Sequence, residues 1–80
     1  MGVVQDLADK LAEDAMAAAR DLDDPALIEE LAKILGDTSS TLQEAFRTSI
    51  RVRMAEARAR QHLEAKIARS KGAAKTGEEG

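Results

Sequence analysis

The chain has no cysteine, tryptophan or tyrosine, and only one proline, one phenylalanine and five glycines in 80 residues. Without cysteine there is no disulfide framework, no thiolate metal site and no cysteine nucleophile, and nothing ties the chain to an oxidising compartment. With Phe46 as the only aromatic side chain, the stacking platforms of single-stranded nucleic-acid sites and of many ligand pockets are missing. No apolar run approaches the ~20 residues of a membrane span. The opening Met1-Gly2-Val3-Val4-Gln5-Asp6 lacks the basic and apolar regions of a signal peptide, and Asp6 stands where a myristoylation signal takes Ser or Thr. A cytoplasmic location with no membrane partner is the expectation.

What is present favours helix. Apolar residues make up 44% of the chain, and much of that is alanine, the strongest helix former and the poorest core filler. A chain of 8.6 kDa is a single domain, and a domain of this size buries only about 60% of its unfolded surface. A thin, alanine-rich core calls for helices that pack closely or share a partner chain.

Val4, Leu7, Ala8, Leu11, Ala15, Ala18 and Leu22 recur at three and four residues and predict a helix over 3–22. Asp24 followed by Pro25 predicts the cap and first position of a second helix over 25–35. Leu27, Ile28, Leu31, Ile34 and Leu35 form its buried face, and Gly36 is the left-handed residue just past its end. Ser40 with Gln43 and Thr41 with Glu44 both fit a capping box, so a third helix is expected over 40–71, about 45 Å long. The alternation of Ile50, Val52 and Met54 with Arg51 and Arg53 leaves a short strand or bend open over 48–54. Residues 72–80 are expected to form a disordered tail.

Charge is sorted by position. Residues 1–44 hold eleven acids and three bases, while residues 45–75 hold two acids and nine bases, so the net charge of −3 hides a bipolar molecule. Three readings follow. In the first, the acidic first helix lies beside the basic third, within one chain or between two, with charges flanking an apolar seam and selecting the partner. In the second, the basic helix meets nucleic acid through Arg47, Arg51, Arg53, Arg58, Arg60, Lys66, Arg69 and Lys71, arginine being suited to forked phosphate contacts. In the third, the acidic half presents Asp6, Asp9, Glu13, Asp14, Asp21, Asp23 and Asp24 to a basic partner.

The segment Leu31 to Arg47 carries Ala32, Gly36 and Leu42 at the spacing of a small residue, a turn glycine and a packing aliphatic. It resembles the helix-turn-helix of bacterial transcription regulators of the AraC type. That resemblance implies DNA contact by Ser39, Ser40, Gln43 and Arg47 on the second helix of the pair, with Arg51 and Arg58 following on the same helix. Asp37 departs from the pattern, which takes an aliphatic residue after the glycine, and Glu44 places a negative charge in the would-be recognition helix.

Catalytic constellations are lacking. His62, the single histidine, has Arg58, Ala59, Ala65 and Lys66 at helical spacing, which supply neither an orienting carboxylate nor a second ligand. Ser39, Ser40, Ser49 and Ser70 have no nucleophile-elbow context. Asp9 with Glu13 and Glu29 with Glu30 fall far short of the six or more oxygens of a hard-cation site, and the glycines are too dispersed for a phosphate loop.

The sequence therefore predicts an all-α, small helical bundle of two long helices and one short helix over residues 1–71, completed by homodimerisation. One twenty-residue helix cannot cover ~45 Å of third helix, and Ala59, Leu63 and Ile67 would be left exposed. The expected interface residues are Leu27, Leu31, Leu35, Phe46, Ile50, Leu63 and Ile67. The expected function is assembly or regulation by contact with a second copy of the chain, with further copies in a higher oligomer, or with another protein, without catalysis or cofactor, and the alternative is DNA binding.

Overall fold

A computed structural model describes the backbone of residues 2–79 and the side chains of residues 2–72. The chain forms three helices, α1 (Val3–Asp21), α2 (Ala26–Thr38) and α3 (Ser40–Glu79), with no strand among the described residues. The fold is all-α. Residues 48–54, where the sequence left a bend open, are helical throughout. The tail expected over 72–80 lies, apart from Gly72, outside the described side chains.

The first turn is closed by backbone hydrogen bonds. Asp23 takes a left-handed conformation with φ 52°. Its N–H donates to the Arg20 carbonyl at 3.2 Å, and the Asp24 N–H donates to the Ala19 carbonyl at 2.8 Å. This pair of bonds is the Schellman closure of a helix, usually built on glycine. Asp23 therefore ends α1. Asp24 does not cap α2 with its side chain. Pro25 (φ −65°, ψ −21°) occupies the cap position, and the Asp24 carbonyl accepts the Leu27 N–H at 3.1 Å.

Helix α2 continues past Leu35, through Gly36, to Thr38. Gly36 is not left-handed, as no described glycine has positive φ. Its missing side chain serves a close approach instead. Gln43 Nε2 donates to the Ala32 carbonyl at 2.9 Å, and a Cβ on Gly36 would come within 2.4 Å of that nitrogen. The link to α3 is Ser39 alone, in extended conformation. Its Oγ accepts the Leu42 N–H at 3.1 Å, so Ser39 rather than Ser40 or Thr41 caps α3.

Contacts of Glu29 with Arg47 and of Ala32 with Gln43 run α2 and α3 antiparallel along nearly the whole of α2. Helix α1 packs chiefly on α3. Its inward face is Ala8, Ala12, Ala15 and Ala19, all buried, and these join Ala32, Phe46 and Ile50 in the core. Small side chains let two helix backbones come close, and the buried Ser49 on α3 does the same from the other side. Phe46 is the one large side chain buried completely among the described residues, with Ile28, Leu31, Leu35 and Leu42 half-buried around it. Leu27, expected at the packing centre, is half-buried and stands outside this cluster.

The burial of alanine turns larger residues outward. Val4, Leu7 and Leu22 were expected on the buried stripe of α1, yet all three are exposed. At 100° per residue they lie roughly 70° round the helix from the alanine seam. The molecule measures 63 × 30 × 13 Å because α3 runs on beyond the other two helices.

Candidate interaction surface

From Met54 to Gly72 every residue of α3 is exposed. That stretch is about 28 Å of helix; Met54 and Glu56 at its start line grooves shared with α1 and α2, and the residues beyond them are exposed. Helices of this length are marginal in water, since most helical stability in proteins comes from packing an apolar face. Such a face exists. Val52, Ala59, Leu63 and Ile67 share one side of α3 by their four- and seven-residue spacing. Val52 is 61% exposed, Leu63 53% and Ile67 44%. The sequence expected Leu63 and Ile67 to be uncovered in a single chain, and they are.

The stripe rises from a groove between helices. Met16, Ala17 and Arg20 of α1 line it with Val52, Arg53 and Glu56 of α3. Arg53 fixes the two walls. Its Nη2 donates to the Asp9 carbonyl at 3.3 Å, its Nη1 lies 4.0 Å from a Glu13 carboxylate oxygen, and its Nε donates to Ser49 Oγ at 3.3 Å. Acidic α1 and basic α3 do lie side by side within one chain, but they share only the lower part of α3.

Electrostatics divides the surface further. Helix α1 carries five acids and two bases, and residues 54–72 carry five bases and two acids. Arg60 bonds Glu56 one turn away, which raises the already high pKa of its guanidinium. Between α2 and α3, Arg47 Nη1 and Nη2 each donate to a different carboxylate oxygen of Glu29 at 3.0 Å. The hydrogen bond from Arg47 holds the Glu29 carboxyl below its ordinary value of 4.5 against a smaller opposing desolvation, and Arg47 is raised in return.

These contacts occupy the residues that the helix-turn-helix resemblance assigns to DNA. Ser39 caps α3, Gln43 is bonded to α2, and Arg47 is clasped by Glu29. Ser40 is exposed at the first position of α3. Arg51 and Arg58, seven residues apart, share an exposed face, on the other side of the helix from the apolar stripe.

The interface residues named from sequence separate into two groups. Phe46 and Ile50 are buried within the chain, with Leu31 and Leu35 half-buried against them, so these hold the fold. Leu63 and Ile67 are exposed, and Leu27, half-buried outside the core cluster, falls in neither group. Sequence reasoning missed Met16, Arg20 and Val52 in the groove. For Val52 the signal was the seven-residue spacing of Ala45, Val52 and Ala59, which continues one face of α3 from the core onto its outer half; nothing on α3 points to Met16 or Arg20 of α1.

Among the described residues no group of three or more His, Asp or Glu side chains could hold a metal ion, and His62 stands exposed. Among the described residues no helix is long and apolar enough to cross a membrane. Compared with known protein families, curated proteins and solved structures, the chain matches none.

Proposed function

We propose that this chain is a small, non-catalytic cytoplasmic protein that works by protein contact, as a helical homodimer, in an assembly or regulatory role. The observation that carries the reading is the exposed outer half of α3, with Leu63 and Ile67 on one line and uncovered by the described residues. A contiguous apolar stripe rimmed by charge is the ordinary form of a protein-binding helix face. The charge division between α1 and α3 supports self-association, because one chain brings both signs. The intramolecular bonds of Gln43 and Arg47 favour this reading over the helix-turn-helix one.

Light scattering tests it, with concentration measured by refractive index because the chain has no Trp or Tyr. The expected mass at micromolar concentration is that of two 8.6 kDa chains, and Leu63→Asp with Ile67→Asp should reduce it to one. A wild type with the mass of one chain across that range overturns the reading. Retention of a labelled duplex at ~50 mM salt, lost on Arg51→Ala with Arg58→Ala, would replace it with DNA binding.

A further inference from the structure

We infer that the two copies join reciprocally, the outer apolar line of α1 in one copy lying against the outer half of α3 in the other. This inference rests on the homodimer reading and specifies its contact.

Helix α1 has two apolar faces. The alanine seam packs on the core together with Leu11, while Val4 and Leu7 near the start of α1 and Leu22 just past its end stay exposed, Leu7 being 56% exposed. Turning alanine inward and leaving leucine in water forgoes the burial of the larger side chains unless something covers them. The occupant must be apolar along a line, helical and basic. The outer half of α3 meets all three requirements. The α1 line from Val4 to Leu22 spans about 27 Å, and the α3 line from Val52 to Ile67 about 22 Å. Five acids and two bases on one face five bases and two acids on the other.

A chain cannot satisfy itself this way. The exposed stretch of α3 begins at Met54, beyond the groove where Met16, Ala17 and Arg20 meet Val52. A second copy running antiparallel brings its own α1 to that side, and two-fold symmetry repeats the contact. Pairing the two outer halves of α3 directly would instead set five bases against five. A standard interface removes about 800 Å² from each partner, near an eighth of the 6109 Å² exposed by one chain, which two helix-length contacts per dimer can supply.

Charge reversal with a mixing step tests the arrangement. One variant carries Asp14→Lys and Asp21→Lys on α1, and the other carries Lys66→Glu and Lys71→Glu on α3, all at exposed positions outside the core. Each alone should dissociate at least tenfold more readily than wild type at low salt. Their equimolar mixture should recover two-chain mass, because each α1 then meets an α3 of opposite sign. Amides around Phe46 should stay protected from exchange in both, which shows that the three-helix core is intact. If either variant stays as dimeric as wild type, or the mixture fails to recover, the reciprocal contact is overturned while the homodimer reading stands. If the wild type is itself a single chain, the homodimer reading falls, and this inference with it.

Discussion

The side-chain amide of Gln43 lies on the bare Cα of Gly36 and bonds the Ala32 carbonyl, locking the last turns of α2 to the first turns of α3. The glycine and the glutamine act as a pair. Gly36→Ala should gain about 1 kcal/mol of helix propensity and lose about 1 kcal/mol of hydrogen bond as the amide is pushed aside, leaving stability nearly unchanged. In a Gln43→Ala background the same substitution should stabilise by about 1 kcal/mol. Urea unfolding of the four proteins gives the coupling, and additive effects would contradict the pairing.

Asp23 holds a left-handed backbone that costs an L-residue roughly 1 kcal/mol and glycine nothing. Asp23→Gly should therefore raise stability by about 0.5–1 kcal/mol, helped by removal of a negative charge from the C-terminal end of α1. Thermal unfolding checks this, and a lowered midpoint would show that the Asp23 side chain matters more than its backbone.

Phe46 is the largest side chain in a core that it shares with Ile50 and four buried alanines. Phe46→Ala should cost about 3–5 kcal/mol, a large part of the ~4–12 kcal/mol expected of an 80-residue domain. Urea unfolding should show a correspondingly lowered midpoint. An unchanged midpoint would mean that Ile50 and the alanine seam suffice.

The Glu29–Arg47 pair gives a pH dependence with a definite sign. The Glu29 carboxyl has its pKa lowered in the folded chain, so its contribution is present above the ordinary 4.5 and is lost as pH falls through the lowered value. Wild type should exceed Glu29→Gln in stability by a constant margin from pH 7 to about 5, and the margin should vanish at more acid pH. A margin independent of pH would show that charge on Glu29 contributes nothing. The pair is exposed, so added salt should narrow the margin.

The helices were legible in the sequence because apolar spacing, Pro25 and the Ser39–Thr41 run mark them directly. The side of α1 that is buried was legible only in part: Ala8, Leu11 and Ala15 of the expected stripe meet the core, while Val4, Leu7 and Leu22 are exposed. Hydropathy ranks Val4, Leu7 and Leu22 above alanine, but packing against α3 selects for small size, and the seam turned to Ala8, Ala12, Ala15 and Ala19. Gly36 misled for a similar reason. A glycine after an apolar run signals a helix end, and here it makes room for a side chain seven residues later. Of the candidate surface, Leu63 and Ile67 were legible from length alone, since one helix of twenty residues cannot cover a third helix of about 45 Å. The clasp of Arg47 by Glu29 was not, because it depends on the antiparallel alignment of α2 with α3, which no local signal fixes.

The central claim is that the outer half of α3 is held by another copy of the chain. Amide hydrogen exchange over residues 54–72, measured at about 1 μM and at a concentration a hundredfold higher, tests it most directly. The account expects these amides to exchange rapidly when dilute and to become protected when concentrated, while those around Phe46 stay protected throughout. Equal exchange at the two concentrations would contradict it.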